Sequence, residues 1–184
     1  METQSDEEVA LLVQNGDLSA FRILVDRYNS KMIRYANKFL FGYDDAQDAV
    51  QETFIKAYRN IKSFDIERRF SPWLYRIAHN EFINLIKKKG REPLYFFDTD
   101  TIFPHPVSSQ TPDKEFDEKE LHEAIASCLD ELDVKYREPF ILYYFEDMDY
   151  KQISSIMEVP VSTVGIRLKR GKVLLQQLYL KKNH

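Results

Sequence analysis

Between positions 21 and 39 the apolar residues Phe21, Leu24, Val25, Tyr28, Met32, Tyr35, Ala36 and Phe39 recur at steps of three and four, the period of an α-helix and not of a strand. Five turns of unbroken stripe commit the segment to a helix buried along one side, which needs partners of the same kind. With only 5 glycines among 184 residues, and long stretches free of both Gly and Pro, the rest of the chain supplies them. The expected class is all-α, as two small helical domains joined by an irregular linker.

Boundary signals divide the chain. Ser5 with Glu8 reads as a capping box opening a short helix that stops before Gly16, and Asp17 is predicted to cap the helix carrying the long stripe. Gly42 closes that helix. A third is predicted from Asp44-Asp45 to about Ile61, with acids at 44, 45 and 48 in the first turns, where the helix dipole favours negative charge. Ser71-Pro72 predicts the next start, a capping hydroxyl followed by proline at the first helical position. That helix would bury Leu74, Ile77, Ala78, Phe82 and Leu85, place Arg76, Asn80, Asn84 and Lys87 on another face, and end at Gly90.

Residues 93–113 hold four of the seven prolines and no periodicity. So long a structureless stretch is unusual inside a compact domain, and it reads as a linker. The expected domains are therefore 1–92 and 114–184. In the second, Leu121, Ile125, Cys128 and Leu132 form the first stripe, Asp133 is placed to cap the next helix, and Pro139 is expected near that helix's first turns or at a small kink.

Net charge is −4, which taken alone argues against a nucleic-acid partner. The distribution reverses that. Residues 56–91 carry ten Lys/Arg against three acids, and residues 151–184 carry seven against the single Glu158, leaving −17 on the remainder. Two basic stretches in an acidic chain fit two separate contacts with phosphate, with acidic faces left for another partner.

Several classes drop out. Cys128 is alone, so neither an internal disulfide nor a cysteine zinc site is expected, and His79, His105, His122 and His184 are scattered without ligand spacing. There is no Gly-rich phosphate loop and no plausible Ser/His/Asp order, so no catalytic residue, metal or cofactor is expected. No apolar run approaches the ~20 residues that span a bilayer. The opening METQSDEEVALL is acidic where a signal peptide would be basic, which predicts a cytoplasmic protein without membrane insertion.

The C-terminal segment is the most informative. Asp149 with Gln152 forms a second capping box, and a short helix follows with Ile153 and Ile156 inward. Val159-Pro160-Val161 turns the chain, and Ser162 or Thr163 is expected to start a second helix with Val164, Leu168, Gly171, Leu175 and Leu178 buried and Arg167, Lys169, Arg170 and Lys172 outside. Two short helices, a tight turn and a basic outer face describe a helix-turn-helix, though a helical hairpin with a solvated basic face has the same pattern.

The stretch YREPFILYYFEDMDYKQISSIMEVPVSTVGIRLKRGKVLL resembles region 4 of the extracytoplasmic-function (ECF) sigma factors of bacterial RNA polymerase. DDAQDAVQETFIKAYRNIKSFD and FSPWLYRIAHNEFINLIKKK resemble region 2. Their order and spacing agree over nearly the whole chain.

The resemblance implies a subunit that binds core RNA polymerase through the β′ clamp helices and the β flap, and that directs promoter-specific initiation. Asp48, Gln51, Glu52 and Phe54 would meet the clamp helices. The single-stranded −10 element would be read by Asn80 and Asn84, with Arg76, Lys87, Lys88 and Lys89 on phosphate and Phe64, Arg68, Arg69 and Phe70 adding charge and aromatic surface. Trp73 and Tyr75 fit core packing better than stacking on bases. Ser162, Thr163, Arg167, Lys169, Arg170 and Lys172 would meet the duplex −35 element. The chain departs from the usual pattern at Gly165-Ile166, where a basic residue and then Ser or Thr is common, and at Gly171, where alanine is usual. Each glycine should cost roughly 1 kcal/mol of helix stability relative to alanine.

The resemblance further implies an anti-sigma partner covering both lobes, and a linker threading the RNA exit path. Asp98, Asp100 and Asp113 fit either that path or a merely soluble tether. A helix-turn-helix regulator of duplex operators, acting without polymerase, is the alternative; it would not need the N-terminal lobe in this form.

Overall fold

The computed structural model describes residues 4–40, 46–89, 123–125 and 127–183. The chain divides into an N-terminal and a C-terminal compact unit, and every regular element among the described residues is helical. The linker, its acids, the expected helix start at Asp44-Asp45, Gly42, Gly90, Leu121 and the side chain of Lys89 lie outside the described residues.

In the first unit, α1 (Asp6–Gln14) opens with the expected capping box: the Glu8 amide donates to Ser5 Oγ at 3.1 Å and the Ser5 amide to Glu8 Oε2 at 2.7 Å. The chain leaves α1 through Gly16 at φ +106°, a backbone region few other residues tolerate. Asp17 does not cap a helix by its side chain. Its Oδ1 accepts from Ser19 Oγ at 2.6 Å, and a 3-10 turn, Leu18–Ala20, intervenes before α2 (Phe21–Phe39). Helix α3 covers Ala46–Asn60 and passes through a second 3-10 turn, Ile61–Ser63, toward α4 (Phe70–Lys89).

Helix α4 begins before its proline: Phe70 is the first helical residue and Pro72 the third. The amides of a helix's first turn have no intrahelical acceptor, so proline costs no hydrogen bond there. The capping acceptor comes from α1, where Glu7 Oε1 accepts from the Phe70 amide at 2.8 Å.

Rings carry the core of this unit. Tyr35 of α2 packs on Tyr75 and Phe82 of α4 at centroid distances of 5.3 and 5.1 Å, and Phe39 on Phe82 at 5.9 Å. A second group joins Tyr28, Phe64, Phe70 and Trp73. Leu24, Met32, Leu74 and Ile86 fill the space between. Helix α3 packs on both α2 and α4, while α1 lies on α2 and α4.

In the second unit, residues 123–125 and 127–128 are helical and lead through a 3-10 turn, Leu129–Glu131, to α5 (Val134–Tyr144), α6 (Tyr150–Met157) and α7 (Val161–Lys182). Asp133 caps α5 as expected, accepting from the Lys135 amide at 3.1 Å. Pro139 is the sixth residue of α5, deeper than the first turn. Asp149 and Gln152 form the second capping box, at 2.8 and 2.9 Å.

Helices α5 and α7 pack closely, and Gly171 is where they meet. A Cβ at that position would lie 2.5 Å from Cε2 of Phe140, itself fully buried and stacked on Tyr144. The helix-propensity cost of Gly171 is thus offset by close approach of a ring. Gly165 differs, because a Cβ there would meet Tyr150 at an ordinary 3.6 Å. The two glycines should therefore respond oppositely. Gly165→Ala is expected to raise the stability of the C-terminal unit by up to about 1 kcal/mol. Gly171→Ala should lower it, since overpacking of roughly 1–3 kcal/mol exceeds the propensity gain. Thermal unfolding of the two variants checks the signs.

Candidate nucleic-acid interface

Helix α4 turns its rings inward, and this fixes what it shows to solvent. With Leu74, Tyr75, Ala78, Phe82 and Ile86 buried, Arg76, Asn80, Asn84, Lys87 and Lys88 are exposed. Arg76, Asn80 and Asn84 follow one another at four-residue steps and therefore line one face over two turns. The amides there can donate and accept, and the cations flanking them suit phosphate.

The segment before α4 holds an exposed tip, residues 65–69, between two buried aromatics. Arg68 pairs with Asp65 at 3.4 Å, its amide donates to the Asp65 carbonyl at 3.0 Å, and the Glu67 amide donates to Asp65 Oδ1 at 3.1 Å. Arg68 and Arg69 project into solvent as expected. Phe64 does not. It is 4% exposed, with its ring 5.5 Å from Phe70 and 5.1 Å from Trp73. Phe70 is buried too, so the aromatic surface expected of these two residues is an anchor beneath the tip. Tyr75 is core, and Trp73 is half-buried.

Residues expected to meet polymerase lie close by. A groove of about 320 Å³ between α3 and α4 is lined by Asp48, Glu52, Glu81, Asn84 and Lys88 among others. A larger one, about 750 Å³, runs between α2 and α3, with Phe21, Val25 and Ile33 facing Val50, Gln51, Phe54 and Tyr58. Asp48 borders both grooves. Gln51 is exposed and Glu52 half-buried, whereas Phe54 is buried at the floor of the larger groove and not a projecting contact. Lys56 of α3 and Glu81 of α4 form an ion pair that ties the two helices.

In the second unit, Glu158 ends α6 in the left-handed region at φ 55°, and Ser154 Oγ donates to the Val159 carbonyl at 2.6 Å, tightening the turn. Helix α7 starts at Val161, one residue before the earliest expected start, with Pro160 as its cap. Ser162 and Lys169 are exposed, and Arg170 and Lys172 are half-buried. Thr163 and Arg167 are only 2% and 7% exposed. Arg167 stands four residues from both Thr163 and Gly171, so it falls within a buried stripe wider than the spacing of Val164, Leu168 and Leu175 alone indicates.

The chain matches the family description "Sigma-70 region 2" over residues 24–92 and "Sigma-70, region 4" over residues 122–175. It is 36% identical over 173 residues to the ECF RNA polymerase sigma factor SigW of Bacillus subtilis, covering 90% of this chain and 91% of that protein. The chain belongs to the ECF sigma factors.

It is also 33% identical to the ECF RNA polymerase sigma-E factor of Haemophilus influenzae, over 95% of each chain. Among solved structures it superposes on the sigma factor RpoE of Bartonella quintana, determined in complex with the anti-sigma factor NepR. The TM-score is 0.63 at 26% identity, covering 89% of this chain and 98% of that one. CnrH, solved with the cytosolic domain of CnrY, shares the fold at TM-score 0.70 and 24% identity. Sigma factors are transcription initiation factors that give RNA polymerase its promoter specificity, and the duplex-operator regulator is set aside.

Two polar residues of this sigma factor escaped the sequence reading. Glu7 and Gln14 stand on α1, before the matched stretch 24–92, and Gln14 Nε2 donates to the carbonyls of Ile61 and Phe64 at 2.7 and 2.8 Å. Their seven-residue spacing, two helical turns, was the available signal that they share a face.

The burial of Phe64 separates its variants from those of the tip. Phe64→Ala is expected to cost the N-terminal unit about 3 kcal/mol or more, the usual range for truncating a buried ring. Arg69→Ala should leave the unfolding midpoint unchanged. A urea titration of the two variants measures both.

Proposed function

We propose that the N-terminal lobe docks on the β′ clamp helices of core polymerase through α3 and holds the melted −10 strand on α4 and the preceding tip. The C-terminal lobe reads duplex −35 DNA through α7 and meets the β flap. The observation that carries this reading is the exposed line Arg76, Asn80, Asn84, Lys87 and Lys88, adjoined by Arg68 and Arg69, beside an α3 edge bearing Asp48, Gln51 and Glu52. Hydrogen-bonding amides flanked by cations fit an unstacked base between phosphates, and an acidic edge fits a basic helical partner.

At −35, Ser162 and Lys169 are the accessible contacts, with Arg170 and Lys172 reaching from half-buried positions. Thr163 and Arg167 support the helix from its buried side and touch DNA only through a rearranged side chain. The usual polar pair is replaced by Gly165-Ile166, so the base preference is expected to differ from the family's common −35 sequence. An anti-sigma protein as the inhibitory partner, and action in the cytoplasm, belong to the same reading; RpoE of Bartonella quintana was solved with such a partner. Among the described residues no helix is long and apolar enough to cross a membrane.

Reconstitution with core RNA polymerase and sequencing of run-off transcripts from genomic DNA tests the function as a whole. Promoter-specific starts are expected, and absence of affinity for core enzyme overturns it. A bidentate base contact is worth about 1–3 kcal/mol, so Asn80→Ala with Asn84→Ala should slow promoter opening at least roughly fivefold. Duplex binding by the C-terminal lobe should not change. Permanganate reactivity beside a gel-shift assay reads the two steps, and equal losses in both would remove the pair from the −10 site. For −35 DNA, Lys169→Ala is expected to flatten the salt dependence of binding by nearly one unit of slope. An unchanged slope would place Lys169 off the phosphates.

A further inference from the structure

The exposed tip 65–69 leaves the protein surface between two points, and both are held by side chains of α1. At one end Gln14 Nε2 spends both hydrogens on the Ile61 and Phe64 carbonyls, at 2.7 and 2.8 Å. At the other, Glu7 Oε1 accepts from the amide of Phe70, the first residue of α4, at 2.8 Å. Helix α1 is itself fixed to α2 through Asp6, which accepts from Arg27 Nη1 and from the Tyr28 hydroxyl, each at 2.6 Å. Burial, and then the Asp6 carboxylate, push the Tyr28 hydroxyl well above the ordinary tyrosine range, so it stays a donor.

The arrangement is more specific than packing requires. Val9, Ala10 and Val13 already bury α1 against the lobe. A helix held only by those contacts could shift by a fraction of a turn at little cost, whereas three fixed polar contacts to the two ends of one tip cannot survive such a shift. The tip has hydrogen bonds of its own through Asp65, so its internal shape is set locally, and its placement above α4 is set at its two ends by the buried rings and by the α1 side chains. Losing Gln14 or Glu7 removes the polar part of the hold at one end, with the buried rings of Phe64 and Phe70 left in place.

We infer that α1 is a brace for the strand-capturing tip, and that Glu7 and Gln14 are positioning residues for promoter opening that act through Arg68 and Arg69 without touching DNA. The inference rests on the proposed role of the tip at −10. Preorganising a binding loop lowers the ordering cost met when the strand arrives. The effect should therefore appear in opening and not in polymerase docking or −35 binding, which use other surfaces.

The experiment uses full-length protein with core polymerase on a promoter fragment recovered from the wild-type run-off. Opening is followed by fluorescence of 2-aminopurine placed in the −10 element, at a temperature where circular dichroism shows every variant folded. Gln14→Ala is expected to slow opening about tenfold, the equivalent of the hydrogen bonds lost. Glu7→Ala should slow it severalfold, and Glu7→Gln, which keeps the acceptor, should recover most of the loss. Core affinity and gel shift on −35 duplex should stay at wild-type values.

A second measurement guards against a general loss of stability. In a background already carrying Arg68→Ala and Arg69→Ala, Gln14→Ala should have little further effect, because the brace then has no tip cations to place. Opening at the wild-type rate overturns the inference, as do equal losses in opening and core binding, or full independence of Gln14 from the tip arginines. If the wild-type protein gives no specific transcripts, the proposed function itself fails, and that result is distinct from all of these.

Discussion

The ring packing between α2 and α4 decides where everything else in the N-terminal lobe can be. Tyr35 against Tyr75 and Phe82, with Phe39 on Phe82 and Tyr28 on Phe70, contributes about 0.5–1.5 kcal/mol per pair beyond simple burial. Its larger consequence is rotational. A helix advances about 100° per residue, so fixing Tyr75, Phe82 and Ile86 inward leaves one orientation for the remaining side chains. Arg76, Asn80 and Asn84 face solvent because the core next to them allows nothing else. The exposed polar face is the complement of the core face, and a mutation that loosens the rings would shift that face without touching any of its residues.

The second requirement is that α4 begin at a defined place. Its start is set by a carboxylate from another helix, Glu7, meeting the Phe70 amide, and by Phe64 buried beneath the tip. Local sequence at Ser71-Pro72 gives a start within the right turn, because proline is tolerated anywhere among the first few residues. It does not give the residue, because the capping acceptor comes from 63 positions away.

This distinction explains which parts of the structure were legible in advance. Periodic apolar stripes and local caps are short-range information, and they gave the order of the helices and three side-chain caps, at Ser5, Asp133 and Asp149, as the structure has them. Errors fell where neither a periodic stripe nor a local cap sets a side chain's direction. Phe64 belongs to no periodic segment, so nothing nearby shows that its ring turns under the tip toward Phe70 and Trp73. Arg167 reads as outward because it is charged, yet it lies between the buried positions Thr163 and Gly171. Gly171 reads as a weak point in α7 until Phe140 is seen against it.

Charge adds a coupling that composition hides. The net −4 conceals a mixed groove, with Asp48 and Glu52 of α3 lining the same space as Glu81, Asn84 and Lys88 of α4. At physiological ionic strength fields reach about 8 Å before screening, so charges across one groove act on each other. On the proposed function, a partner seated on Asp48 and Glu52 would lie beside Asn84 and Lys88 in that groove. On the proposed reading, the surface that docks and the surface that holds the strand share one groove between α3 and α4.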